Sequence, residues 1–180
     1  MAALPVMLRH ARARLAELPP LPEPWDMAEF VERVAQHRGR PIQLAPRTMS
    51  HYASVATGLW IRRTDRDVIV YDTSGTELHQ DHIVLHELAH MLCGHTGVPL
   101  HTDATSRDDD QDGDQQMLSR LSGDDVLAEE SVRVLHRNAY DSAQELEAET
   151  LAYVIWQAAG LQLVSGSGPV SRAVAAFEYH

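Results

Sequence analysis

The amino-acid sequence predicts an α+β fold in which a small antiparallel sheet packs against helices. Three short segments rich in β-branched and aromatic residues follow one another within residues 41–72, and segments with apolar residues at helical spacing lie before and after them. The chain has 180 residues, of which 44% are hydrophobic, so one domain with a buried core is expected. No apolar run approaches the roughly 18 residues that a membrane-spanning helix needs.

The first 25 residues are predicted to form a helix followed by a proline-rich arm. Residues 1–18 have the spacing of a short amphipathic helix, and the prolines of "LPPLPEP" end it. Arginines follow the short apolar stretch here rather than precede it, which is not the charge order of a signal peptide. We therefore expect a cytoplasmic protein, and the single cysteine, Cys93, agrees with a reducing compartment.

A second helix and the strands are predicted from residue 26 onward. Asp26 is the predicted N-cap of a helix that ends at Gly39. The segments "PIQLAP", "GLWIRR" and "DVIVYD" are the predicted strands, and a short turn joins the last two. Helical character returns in "TSGTELHQDHIVLHELAHMLCGH", where Ser74 and Glu77 resemble a capping box and Gly94 supplies the stop.

The second half of the chain begins with an acidic segment. Residues 101–125 lack an apolar stripe and are predicted to form an exposed acidic loop within a domain that spans residues 26–164. Part of this loop, "DDDQDGD", resembles a calcium-binding loop, but Ser119 stands where that loop has glutamate, so calcium binding stays open. Helical periodicity follows in "DDVLAEESVRVLHRNA" and "SAQELEAETLAYVIWQAAG", and residues 165–180 form a predicted tail.

The segment "HELAH" places three ionisable residues inside an otherwise apolar helix. His86 and His90 are four residues apart, so both imidazoles can face one ion from the same side of a helix. Two neutral imidazoles suit Zn²⁺, and the adjacent Glu87 can take a proton from a metal-bound water. The alternative is that these are ordinary core or surface histidines, since the HExxH pattern also arises by chance.

A catalytic zinc normally has a third protein ligand, and "QELEAETLA" offers one. Glu145 and Glu149 are four apart on one helix face, whereas Glu147 points roughly the other way. We predict that Glu145 is the third ligand and that Glu149 orients a ligand histidine, although the two roles can be exchanged. Taken alone, the segment would be a solvated charged face. His82 and His95 are not expected to be ligands, and His95 is predicted to be a cap or surface residue.

Some other side chains receive weaker predictions. Tyr140 and His136 precede the predicted third ligand, where either can hydrogen-bond the developing oxyanion of a peptide, although a structural role is the commoner one. Cys93 returns to nearly the same helical face as His86, but its expected role is packing. The strand "DVIVYD" offers an edge that an extended substrate can pair with.

"HELAH" followed by "ELEAETLA" resembles the gluzincin pattern of HExxH and a downstream Glu-x-x-Ala-Asp/Asn, and specifically the ImmA/IrrE-type metallopeptidases. The similarity covers about residues 26–160, with a longer gap between the two motifs and a glutamate where Asp or Asn is commoner. It implies a zincin-like fold, zinc held by His86, His90 and Glu145, and Glu87 as the general base. The usual substrates in that family are helix-turn-helix repressors.

The predicted function is a zinc-dependent metalloendopeptidase that makes limited cleavages in a regulatory protein, such as a helix-turn-helix repressor or an antitoxin-like partner. The formal net charge of −11 argues against direct nucleic-acid binding and favours a basic protein partner. The alternative is a non-catalytic, zinc-stabilised binding module of a toxin–antitoxin or mobile-element system. Glu87 argues against this alternative, because a purely structural zinc needs no base. A toxin that cleaves host proteins is a third hypothesis.

Overall fold

A mixed sheet and four helices make up the part of the chain that the computed structural model describes, which is residues 3–48, 58–95, 98–99, 133–135 and 142–161. The helices are α1 (Ala3–Glu17), α2 (Met27–Arg38), α3 (Glu77–Cys93) and α4 (Ser142–Ala158), and the strands are β1 (Ile42–Arg47), β2 (Gly58–Arg62), β3 (Asp67–Asp72), β4 (Val98–Pro99) and β5 (Arg133–Leu135). The α+β class is therefore confirmed. The predicted acidic loop and C-terminal tail lie outside the described residues.

Helix α2 begins and ends where the sequence predicts. The Asp26 side chain accepts a hydrogen bond from the Glu29 N–H at 2.8 Å, which satisfies one of the unpaired donors of the first turn. Gly39 ends the helix with φ of 64°, a left-handed conformation that glycine adopts without steric cost. Between these caps, one face of the helix is buried in the core through Phe30, Val31, Val34 and Ala35.

Helix α3 begins at a different cap from the predicted one. Thr76, not Ser74, is the N-cap, and its side chain accepts a hydrogen bond from the His79 N–H at 3.3 Å. Ser74 lies in the turn after β3, where its backbone N–H and its hydroxyl both donate to the Asp72 carboxylate. The predicted capping box is wrong, because Ser74 forms its hydrogen bonds with Asp72 and does not cap the helix. The helix ends at Gly94, as predicted.

The sheet has the strand order β1-β3-β2-β5-β4. Strands β2 and β3 form the predicted antiparallel hairpin, but β1 runs parallel to β3, with Leu44 opposite Ile69. The sheet is therefore mixed, and the prediction of an antiparallel sheet is wrong for β1. Sequence patterns located the three strands without showing that β3 lies between the other two. Because β3 is paired on both sides, its edges cannot receive an extended substrate.

Two very short strands complete the sheet, and neither was predicted. Strand β5 pairs with β2, with Leu135 opposite Trp60, and β4 pairs with β5. Residues 133–135 were predicted to be helical from the periodicity of the surrounding segment, so the prediction is wrong for these three residues. Their pairing with a distant strand outweighs a local helical preference, since β structure depends strongly on tertiary context.

Helix α3 lies between the sheet and helix α4, and it contacts β2, β3 and α4. The small residues Ala148 and Ala152 of α4 are buried in the shared core, as expected for closely packed helices. Helix α1 packs against α4 and places Ala11 in the same core. The boundary between residues 1–25 and 26–164 stays a prediction. Within the described residues, no helix is both long and apolar enough to cross a membrane.

Candidate metal centre

Two histidines on helix α3 direct their imidazoles toward the same point. His86 and His90 are one helical turn apart, and their Nε2 atoms are 3.1 Å from each other. His90 is fully buried, whereas 23% of the His86 side chain is exposed. Neighbouring apolar residues of the helix pack into the core, and this packing fixes which face carries the histidines.

Helix α4 brings a carboxylate to these two nitrogens. Glu145 Oε2 lies 3.5 Å from His86 Nε2, and Glu145 Oε1 lies 3.3 Å from His90 Nε2. A tetrahedral zinc with bonds of about 2.0–2.1 Å separates its ligand atoms by about 3.3 Å. The observed spacings are close to this value, and one ligand atom from each of the three side chains lies within 4.8 Å of the others, so the group could hold a metal ion. Glu145 Oε1 is buried and receives no hydrogen bond from any described residue, and an ion would satisfy it.

Glu149 lies on the other side of the His86 ring. Its Oε2 atom is 3.3 Å from His86 Nδ1, so it can accept the proton on that nitrogen and leave Nε2 free to face the ion. The same oxygen is 3.7 Å from His82 Nε2. His82 packs edge-on against Trp156 and is not one of the three side chains that converge. The structure thus gives Glu145 and Glu149 different positions around one imidazole.

The pKa values of these groups reflect their close packing. Burial lowers the pKa of His86, but the carboxylates of Glu145 and Glu149 outweigh it and raise the pKa to about 10. Burial lowers the pKa of His90 to about 4, against the smaller opposing effect of Glu145. Burial raises the pKa of Glu145, but the two histidines outweigh it and lower the pKa to about 2. At neutral pH in the metal-free protein, the His86 imidazole is therefore positively charged and the His90 imidazole is neutral.

Glu87 lies on helix α3 beside the start of β2. The residue is only 6% exposed, and the backbone of Gly58 packs directly on it. A Cβ atom at Gly58 would lie 2.5 Å from Ile83 Cγ2 and 2.9 Å from Glu87 Oε1. Sequence reasoning did not single out Gly58, although a glycine in a predicted strand is a known signal of close backbone approach.

Of the two roles predicted for His95, a helix C-terminal cap or a surface residue, the structure supports the first and not the second. It is 7% exposed, and its Nδ1 atom lies 2.9 Å from His90 Nδ1. The side chain is buried because Gly94 takes a left-handed conformation, with φ of 72°, and turns the chain back onto the helix. The His95 N–H then bonds to the His90 carbonyl at 3.1 Å, and the His95 side chain lies against the His90 ring.

Cys93, His95 and Glu147 form a second group whose ligand atoms lie within 4.8 Å of one another. His95 Nε2 is 3.4 Å from Glu147 Oε2. Burial, and then the nearby Glu147 carboxylate, raise the pKa of the Cys93 thiol to about 12, which disfavours the thiolate that binds metals. The Cys93 thiol therefore lies near His95 and Glu147 and is not part of the group formed by His86, His90 and Glu145. The two suggested oxyanion contacts, Tyr140 and His136, lie outside the described residues.

Comparison of this chain with protein-family models, with curated proteins and with solved structures finds no match. The structure itself therefore defines the class of protein. It is a mixed α+β protein in which His86, His90 and Glu145 form a group that could hold a metal ion. The chemistry of these three donors, two imidazoles and one carboxylate, is the set that zinc accepts in catalytic sites.

Proposed function

We propose that this protein is a zinc-dependent metallopeptidase whose ion is held by His86, His90 and Glu145. The observation that carries the proposal is the convergence of the three side chains. The two Nε2 atoms are 3.1 Å apart, and the Glu145 carboxylate places Oε1 at 3.3 Å from His90 Nε2 and Oε2 at 3.5 Å from His86 Nε2. Three protein ligands leave a fourth position of a tetrahedral zinc open for water or substrate. A bound zinc would supply a water of lowered pKa and would polarise a peptide carbonyl.

Glu87 is the proposed general base. Its carboxylate takes a proton from the attacking water and delivers it to the leaving amine of the cleaved peptide. Burial between α3 and the start of β2 limits the positions that this side chain can adopt, and Gly58 makes room for it. A structural zinc site has no use for such a group, so a buried glutamate beside the first histidine ligand favours hydrolysis.

Glu149 is the proposed orienting residue and not a ligand. Its contact is with His86 Nδ1, at 3.3 Å, whereas Glu145 reaches His86 Nε2 and His90 Nε2. A carboxylate that accepts the distal N–H of a metal-bound histidine fixes the tautomer of the ring and makes it a stronger ligand. Glu145 lies on the side of the His86 ring that faces His90, and Glu149 lies on the opposite side. This arrangement supports the roles predicted from the sequence.

The proposed substrate is a basic regulatory protein, such as a helix-turn-helix repressor or an antitoxin-like partner. This substrate class comes from the resemblance to ImmA/IrrE-type peptidases, and the net charge of −11 agrees with it, since opposite charge speeds the encounter of two proteins. Neither nucleic acid nor membrane is a proposed partner. We place the enzyme in the cytoplasm, where such repressors act.

A non-catalytic binding module is the second candidate. It is favoured by one feature, which is that the three ligand side chains come from two helices, α3 and α4. An ion held there would tie the helices together and would stabilise the fold without any turnover. Under this alternative, Glu87 would be dispensable for every property of the protein.

The Glu87→Gln variant separates the two candidates. Zinc-loaded wild type and variant would be incubated with a library of fluorogenic peptides and with purified helix-turn-helix repressors, and zinc content would be measured in parallel. We expect both proteins to hold zinc and only the wild type to cleave. If neither cleaves any substrate while both hold zinc and still bind a repressor, the peptidase proposal fails and the binding module stands.

A further inference from the structure

A chain of hydrogen-bonding groups extends from the side of His90 that faces away from Glu145. His90 Nδ1 lies 2.9 Å from His95 Nδ1, and His95 Nε2 lies 3.4 Å from Glu147 Oε2. Arg14 of helix α1 forms an ion pair with the same carboxylate, with Nη2 at 3.7 Å from Glu147 Oε1. Both histidines are buried, and their rings meet edge-on with centroids 5.0 Å apart.

The positions of the protons in this chain follow from the chemistry of neutral imidazole, which carries one N–H and one unprotonated nitrogen. His90 Nε2 faces His86 and Glu145, so it must be unprotonated to hold an ion, and the His90 proton then resides on Nδ1. That N–H donates to His95 Nδ1, which must accept. The proton of His95 consequently resides on Nε2, where it donates to Glu147.

We propose that His95, held by Glu147, is a positioning residue that fixes His90 in the tautomer and ring orientation required for ion binding. The proposal rests on the proposed metal centre for the identity of the ion. Each metal-ligand histidine then has its own outer acceptor, Glu149 for His86 and His95 for His90. The acceptor for His90 is an imidazole, and a carboxylate in turn orients that imidazole.

The same assignment of protons to ring nitrogens argues against a second ion at Cys93, His95 and Glu147 while the first site is occupied. A metal there would need an unprotonated His95 Nε2, which would move the His95 proton to Nδ1, directly against the Nδ1–H of His90. Two N–H groups facing each other at 2.9 Å cannot form a hydrogen bond. The chain should therefore bind one zinc and not two, and Cys93 should not contribute.

Variants at position 95 test this role through zinc affinity, measured by competition with a chelator. His95→Leu fills similar space without an acceptor, whereas His95→Asn places a carbonyl oxygen near the position of Nδ1. We expect zinc to bind about 10- to 100-fold more weakly to His95→Leu and within about threefold of wild type to His95→Asn. Cys93→Ser is the matched control, with unchanged affinity and one zinc per chain.

Several outcomes would overturn the proposal. Unchanged affinity in His95→Leu, or equal weakening in the Leu and Asn variants, would leave His95 as a packing residue only. Absence of zinc binding by the wild type would instead refute the proposed function. The tautomers can be read independently from imidazole nitrogen chemical shifts of the wild-type protein, even if a variant fails to fold. We expect His90 to carry its proton on Nδ1 and His95 on Nε2, and the reverse assignment would refute the inference.

Discussion

Glu145 Oε1 and His90 Nε2 lie 3.3 Å apart although they belong to different helices, and neither side chain is exposed enough for water to screen the pair fully. His86 closes the arrangement from the same helix as His90. Helices α3 and α4 pack against each other, with Ala89, Ala148 and Ala152 in the shared core, and this packing brings the carboxylate close to the imidazole. This geometry is the basis of the zinc-peptidase proposal.

Removal of Glu149 should weaken zinc binding without abolishing it. Glu149→Ala deprives the His86 Nδ1–H of its acceptor, and loss of such a partner typically lowers metal affinity about 10- to 100-fold. Glu149→Gln keeps an acceptor oxygen and should lose less. Chelator competition measures both. The assigned roles would be reversed if Glu149→Ala abolished binding while Glu145→Ala retained it.

Zinc affinity should rise with pH. The pKa of His86 is raised to about 10 in the metal-free protein, so at neutral pH one proton must leave His86 before Nε2 can bind an ion. The pKa of His90 is about 4, so His90 releases none in this range. Affinity should therefore increase about tenfold per pH unit between about pH 6 and 8. Calorimetry in buffers of different ionisation enthalpy should detect one released proton, and buffer-independent heats would contradict this.

The same pKa shift has a consequence for the stability of the metal-free protein. His86 has a higher pKa in the folded state than its ordinary value of 6.5. Its favourable contacts with Glu145 and Glu149 therefore contribute stability that is fully present below about pH 6.5 and is lost as the pH rises through about 10. Denaturant unfolding of the metal-free protein across this range should show the decline, and His86→Gln should remove it.

Gly58→Ala should impair cleavage more than zinc binding. The added Cβ would lie 2.5 Å from Ile83 Cγ2 and 2.9 Å from Glu87 Oε1, so either the strand or the proposed base must move. We expect a loss of about 1–3 kcal/mol in stability and a marked fall in kcat, with zinc content retained. Gly75→Ala is a matched control, because its Cβ would meet the exposed ring of His79, which can rotate away. Equal effects of the two variants would contradict the assignment.

Asp67 should be essential for the fold but not for the metal. Its carboxylate is fully buried and lies 3.0 Å from Arg38 Nη1 and 3.2 Å from Arg40 Nε, while Trp60 Nε1 donates to it at 3.2 Å. Asp67→Ala would remove the shared acceptor of two partly buried guanidinium groups and of the buried Trp60 N–H, and we expect a loss of about 3 kcal/mol in denaturant unfolding. The exposed Glu29 is the control, since Glu29→Ala removes a surface pair and should cost less than about 1 kcal/mol.

The features that depend on local sequence were predictable. The four-residue spacing of His86 and His90 places them on one helix face, and the caps of α2 follow from Asp26 and Gly39. The proximity of Glu145 to these histidines could not follow from spacing alone, because it depends on how two helices pack. This proximity was predicted only because HELAH and the downstream glutamate segment together resemble a known metallopeptidase pattern.

The features that were missed depend on turns and on tertiary pairing. The burial of His95 was missed because the direction of the chain after Gly94 depends on the left-handed conformation of that residue, which helical spacing does not show. Strand β5 was missed because its pairing with β2 is non-local. The parallel direction of β1 was missed for the same reason, since strand order is decided by the packed sheet and is not encoded in the periodicity of one segment.

Zinc content per chain tests the central claim most directly. Wild type and Glu145→Ala would be loaded with zinc, dialysed and measured by elemental analysis, with thermal unfolding confirming that both are folded. The proposed centre predicts one zinc per wild-type chain and little or none in the variant, because two imidazoles alone hold the ion weakly. A wild type with no affinity for zinc, or a folded variant that retains the full amount, would contradict it.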